Sequence, residues 1–213
     1  SILKQTYKNW ELIIVDDCSD KKTKNILIKF KRIKKIKIFY TKKNIGAGQC
    51  RNIAIKKSNS YYLAFIDSDD LWEKNKLKMQ INFMQSSNYD FTYTYYKTFT
   101  NDKKIIRTIK TPKRFDFKSF IKNTSIATSS MIVERSLAGK TKFYNTKICE
   151  DYYYKCQLLK KTCYAYCLPR YLMQYQIREN SLQSNRFRNL YWIWKINKDL
   201  NHFKIIKNLI SIF

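Results

Sequence analysis

Glycine and proline are nearly absent from this 213-residue chain, three of one and two of the other, and His202 is the only histidine. With so few of them there is no Gly/Pro-rich linker between domains, and no internal repeat or low-complexity stretch marks a boundary either. One α/β domain over residues 1–185, with an extension over 186–213, accounts for the length. The lone histidine, and six cysteines (Cys18, Cys50, Cys149, Cys156, Cys163, Cys167) without a CxxC pair, argue against a zinc site. Several of these cysteines fall at apolar positions of predicted elements, where a free thiol acts as a small hydrophobe. A reducing, cytoplasmic setting is the expectation. No apolar run approaches the roughly 20 residues that a membrane-spanning helix needs. The chain opens at Ser1 close to what reads as a helix end, so a preceding segment is expected.

Acidic residues are also scarce, 16 against 43 Lys and Arg, for a net charge of +27. Such an excess suits nucleic acid or an anionic membrane surface. The basic residues are spread along the whole chain, however, and Lys, Asn, Ile, Tyr and Phe abound, as expected where codons drift toward A and T. Charge therefore does not choose a function. No aromatic RNP signature or Cys/His finger is present, and no nucleic-acid partner is expected.

The first half alternates strand and helix signals. Glu11 to Val15 is a β-branched run ending in Asp16-Asp17-Cys18-Ser19-Asp20, and Ile26, Phe30 and Ile33 mark a helix. Lys37 to Tyr40 reads as a strand, Gly48 to Lys57 as a helix, and Tyr61 to Ile66 as a strand that stops at Asp67-Ser68-Asp69-Asp70. Leu77, Ile81 and Met84 then mark a helix running from Trp72 to Ser87. This repetition implies a mostly parallel, Rossmann-like sheet flanked by helices, in which ligands bind at the carboxyl ends of strands. The second half predicts strands at 89–96, 105–109, 130–133, 164–168 and 171–177, a helix opening at Glu150-Asp151 with Tyr152, Cys156 and Leu159 on one face, and an aromatic, basic helix from Arg186 to Leu200.

Three carboxylates within four residues, Asp67 to Asp70, repel one another, which suits a hard cation better than packing. The competing structural reading is a helix N-cap, for which one aspartate suffices. Asp16-Asp17 alone could be a solvated turn. Paired with a second acidic strand end, it predicts one crevice that binds hydroxyls and a metal-bridged diphosphate. Arg51 has a plain reading as a surface helix cation, His202 as a surface residue, and Trp192 and Trp194 as packing.

Ser1 to Trp10, then 11–20, Cys50-Arg51-Asn52 and Phe65-Ile66-Asp67-Ser68-Asp69-Asp70 together resemble family 2 glycosyltransferases of the GT-A fold, in order and spacing. Thr128 to Met131 with Glu150-Asp151 resembles the family's later Glu-Asp motif, and Tyr175 to Ser184 its closing segment. The resemblance implies an inverting transferase that moves a sugar from a nucleotide-diphosphate donor to a hydroxyl of a glycan or lipid-linked acceptor, in cell-surface polysaccharide synthesis. It implies nucleotide-sugar contacts from Asp17, Arg51, Asp67, Asp69 and Arg178, a divalent metal (Mn2+ or Mg2+) on Asp69, and Asp151 as the base on the acceptor. Direct attack assisted by a single base inverts the anomeric centre.

The chain departs from the family pattern at Cys18, usually Gly, at Cys50, usually Ala, and at Gln176 and Arg178, often Arg and His. The family's first strand would precede Ser1. A transferase-like binding protein and a basic nucleic-acid-binding protein are the alternatives. The basic aromatic tail from Arg186 resembles an interfacial helix, which would place the protein peripherally at the inner face of a membrane, although a helix packed on the domain is the simpler account.

Overall fold

A computed structural model describes residues 1–102, 104–146, 148–177 and 186–204. β1 (Leu12–Asp16) and β2 (Ile36–Tyr40) pair in parallel, Leu12 opposite Ile36 through Asp16 opposite Tyr40. α1 (Lys21–Ile28) joins them, capped by Asp20, whose Oδ1 accepts the Thr23 N–H at 2.7 Å. It stops before Phe30 and Ile33 and leaves Ile26 and Ile28 exposed, so the helical period there reads too far. α2 (Ala47–Lys57) follows and packs on β1.

A second sheet holds β3 (Tyr62–Ala64), β4 (Leu71–Trp72), β5 (Phe91–Phe99), β8 (Ile132–Glu134) and β9 (Ala165–Gln176) in the order β3-β8-β5-β9-β4. β6 (Ile105–Ile109) flanks β5, and β7 (Arg114–Phe115) flanks β9. Helices α3 (Lys76–Ser87), α4 (Phe117–Phe120), α5 (Arg135–Ala138), α6 (Glu150–Leu159) and α7 (Arg186–Asp199) complete the α/β architecture. β5 and β9 run parallel, whereas β3 and β5 both pair antiparallel with β8. The sheet is mixed because β8, from the second half of the chain, inserts beside β3.

The main core joins Phe91, Tyr93, Met131, Val133, Tyr154 and Leu158 with Ile196 and Phe203, so the inner face of the C-terminal extension packs onto the domain. A smaller cluster gathers Leu77, Ile81 and Met84 of α3 under Trp72, Ile132 and Met173, as the i, i+4, i+7 spacing predicts. Tyr152, Cys156 and Leu159 of α6 are likewise buried.

Two further boundaries differ from expectation. The two aromatic strands are one, β9, with Pro169 and Arg170 extruded where Leu168 faces Thr94 and Tyr171 faces Tyr95. Such a bulge lets a residue without a backbone donor sit inside a ladder. The helix expected from Trp72 starts only at Lys76, because Leu71 and Trp72 instead pair with Gln174 and Met173. Among the described residues β1 has no ladder partner opposite β2, and β3 none opposite β8. Both strands line a groove of about 1960 Å³.

Candidate functional site

The groove gathers the carboxyl ends of β1 and β3. Asp16, Asp17, Asp67, Asp69 and Asp70 line it together with Arg51, Tyr175 and Gln176. Residues far apart in sequence thus share one crevice at strand ends, where open α/β sheets bind ligands.

Asp17 organises the loop that enters α2. Its two carboxylate oxygens accept the N–H groups of Ile45 at 2.7 Å and Gly46 at 2.8 Å, and Thr41 Oγ1 lies 3.3 Å from Oδ1. Cys18 beside it has φ of 60°, so the turn keeps a left-handed shape without glycine. Strain of that kind costs on the order of 1 kcal/mol.

Arg51 is the hub. It projects from α2, donates from Nη2 to Asp67 Oδ1 at 2.5 Å and from Nη1 to Glu150 Oε1 at 2.9 Å, and lies 5.3 Å from the centre of the Phe143 ring. It therefore ties the loop after β3 to the first turn of α6 and is not a surface cation. Gly48, one helical turn earlier, makes room for this bridge: a Cβ there would stand 2.7 Å from Glu150 Cγ.

The Asp67 N–H donates to Ser129 Oγ at 2.9 Å, which fixes the acidic loop against the segment leading into β8. Asp69 is half-buried on the groove. Asp70 is buried, and its Oδ1 accepts the Gln176 N–H at 3.0 Å. Burial pushes its carboxyl up to about 7, against the opposing pull of Ser129 and the Gln176 N–H. Its Oδ2 is buried without a well-formed hydrogen bond. None of the three acids caps α3, whose N-cap is Asn75, so the capping alternative falls.

Asp151 is the second residue of α6. The N-cap is Cys149, with no side-chain capping bond, so neither Glu150 nor Asp151 caps the helix. Asp151 Oδ2 accepts hydrogen bonds from Lys155 Nζ and Thr128 Oγ1, both at 2.8 Å. Burial alone would raise its pKa, but Lys155, with Arg51 and Thr128, holds the carboxyl well below the usual range. The Tyr175 phenol is held above its ordinary range, first by burial and then by the carboxylates of Asp70, Asp67, Asp151 and Asp69. Tyr175 therefore sits in the joint field of the acidic loop and Asp151. Arg178 lies outside the described residues. No cluster of three or more His, Cys, Asp or Glu side chains placed to hold a metal occurs among the described residues.

Residues 1–153 match the family described as Glycosyl transferase family 2. The chain belongs to that family. It is 32% identical over 209 residues, 97% of this chain and 83% of the relative, to TuaG of Bacillus subtilis (strain 168), a glycosyltransferase assigned to teichuronic acid biosynthesis. It is 33% identical over 202 residues, 93% of this chain and 78% of the relative, to the Escherichia coli UDP-Glc:alpha-D-GlcNAc-diphosphoundecaprenol beta-1,3-glucosyltransferase WfgD. Among solved structures, Staphylococcus aureus TarS 1-349 with UDP-GlcNAc superposes at a TM-score of 0.74 with 21% identity, over 99% of this chain and 64% of that one. The UDP complex of TarS gives 0.72, with 63% of that chain covered. This chain thus spans less than two thirds of either TarS chain, and the likeness shows a shared fold.

Several residues that line or brace this crevice escape a reading of the sequence. Lys155 is spaced like a core residue of α6 and carries no motif. Tyr175 and Thr128 fall within segments that resemble the family, but nothing local ties either side chain to a carboxylate. Gly48 had a usable signal, being one of only three glycines.

Proposed function

We propose that this transferase moves a sugar, with inversion, from a nucleotide-diphosphate donor to a hydroxyl of a glycan or lipid-linked acceptor during cell-surface polysaccharide synthesis. The observation that carries this reading is the convergence of Asp17, Arg51, Asp67 and Asp69 on one crevice, coupled to Asp151 through Arg51 and Tyr175. The names of WfgD and of the TarS complexes support a uridine diphosphate sugar as donor, and WfgD supports a polyprenyl diphosphate-linked acceptor.

In this reading Asp17, Arg51 and Asp67 hold the nucleoside and ribose, and Arg178 contacts the diphosphate. A divalent cation fits the remaining groups. Asp69, a hard oxygen donor on the groove, would hold it, and the donor's phosphates would supply oxygens that the described carboxylates do not. When bound, such an ion (Mg2+ or Mn2+) neutralises charge on the departing diphosphate. Asp151, kept ionised by Lys155, takes the acceptor's proton. The outward face of α7 supports peripheral membrane contact: Phe187 is 85% and Tyr191 54% exposed, beside Arg188, Lys195 and Lys198. No helix among the described residues is long and apolar enough to cross a membrane.

Calorimetric titration of UDP-glucose and UDP-GlcNAc, with and without Mn2+, alongside a labelled oligonucleotide, tests the reading. Mn2+-dependent binding of one sugar nucleotide is expected, and oligonucleotide binding alone would overturn it.

A further inference from the structure

Lys155 is buried, and it sits between Tyr154 and Cys156, two fully buried residues of α6. Packing alone favours an apolar residue there, because a buried cation is expensive unless it is fully paired. Its three ammonium hydrogens meet three oxygens: Asp151 Oδ2 at 2.8 Å, the Ile126 carbonyl at 2.7 Å and Thr128 Oγ1 at 3.4 Å. Thr128 Oγ1 itself donates to Asp151 Oδ2. Both hydrogen bonds to Asp151 therefore land on one oxygen, and Oδ1 accepts none among the described residues.

We propose that Lys155 is a positioning residue for Asp151: with Thr128 it occupies Oδ2, fixes the carboxylate plane, and leaves Oδ1 to receive the acceptor's proton. The proposal rests on the reading of Asp151 as the base. An oxygen that already accepts two hydrogen bonds is the poorer proton acceptor, so the division of labour between the two oxygens follows from the contacts. The bond to Ile126 extends the effect. It anchors Asp151 to the strand of chain that continues into Ser129, whose hydroxyl holds the Asp67 N–H. The same cation therefore sets where the base stands relative to the donor loop.

Lys155 also sets the pH at which the base works. Among the described residues, the groups facing Asp151 are Lys155 on α6, Cys149 before it, Arg51 from α2, Thr128 and Tyr175 of β9, with Glu150 its neighbour in the chain. Lys155 and Arg51 are the cations among them. Without Lys155 burial dominates, Asp151 protonates at higher pH, and the acid limb of the rate profile moves upward.

The test is single-turnover transfer from UDP-glucose to a synthetic GlcNAc-diphospholipid from pH 4.5 to 9, using the full chain, with UDP affinity measured in parallel. Lys155→Met is expected to keep UDP affinity within about twofold and to lose about tenfold or more in rate at pH 6. It should recover toward wild type near pH 8.5, the acid limb having moved up by about three units or more from a wild-type position below the usual carboxylate range. Thr128→Val should move the limb in the same direction by less, and it decides the matter should Lys155→Met fail to fold. A rate loss equal at every pH, or an unmoved limb in Thr128→Val, overturns the proposal. Asp151→Asn separates the two layers. Near wild-type turnover by that variant removes Asp151 as the base, whereas an inactive Asp151→Asn beside a normal Lys155→Met profile removes only the role of Lys155.

Discussion

Replacing Lys76 by Met should stabilise the protein at neutral pH, and by an amount that depends on pH in a defined way. Lys76 is wholly buried at the start of α3, and burial pushes its pKa down to about 7 from 10.5. Among the described residues no carboxylate pairs with it; its ammonium donates to Gln80 Oε1 at 2.8 Å and lies 4.3 Å from the centre of the Trp72 ring. A depression of that size corresponds to about 5 kcal/mol at neutral pH. The ring contact and the amide bond return about 2–3 kcal/mol, which Met forgoes. Met keeps the stem's volume and should come out ahead by about 1–3 kcal/mol at pH 7. Between pH 7 and 10.5 the unfolded chain carries the Lys76 proton and the folded chain does not, so wild-type stability rises with pH across that window. The Met variant lacks this rise. Its advantage should shrink by about 1.4 kcal/mol per pH unit and vanish near pH 9. Urea unfolding of both proteins at pH 6, 7, 8 and 9 measures the difference, and titrations common to both cancel. A constant difference from pH 7 to 9 would refute the reasoning, because it would mean that Trp72 and Gln80 hold Lys76 charged with an ordinary pKa.

Cys18→Gly should raise stability by about 0.5–1 kcal/mol in thermal melts, because it relieves a left-handed residue without touching a contact in the core. Gly48→Ala should cost about 1–2 kcal/mol despite alanine's better helix propensity, since its Cβ displaces Glu150 from Arg51, and donor affinity should fall with it. Asp69→Ala should abolish Mn2+-dependent donor affinity by calorimetry and leave the melting temperature within a few degrees; unchanged affinity would remove Asp69 as the metal's ligand.

The acidic strand ends were legible because three crowded carboxylates make no sense as packing, and the buried faces of α3 and α6 because their apolar period is clean. What escaped depends on partners far along the chain. Nothing near Leu71 and Trp72 announces that they pair with β9, about a hundred residues later, so the helix after the acidic loop reads four residues too long. β8 inserts antiparallel beside β3, which no alternation in the first half foreshadows. Arg51 looks like a surface cation until its fold partner Glu150, 99 residues away, is in place. Pro169 reads as the end of a strand, yet a bulge absorbs it.

The unpartnered sides of β1 and β3 carry a liability for solubility. Leu12-Ile13-Ile14-Val15 is an aliphatic, uncharged run without proline, and among the described residues no strand pairs with its side away from β2. Segments of this composition on a sheet margin template the addition of foreign strands, which is the first step of edge-to-edge aggregation. The charge of +27 counters that tendency by keeping copies apart at low ionic strength, and the protection weakens as salt shortens the Debye length. Self-association of this polypeptide should therefore rise with salt and start at β1, unless an extended segment fills the groove and satisfies both margins at once.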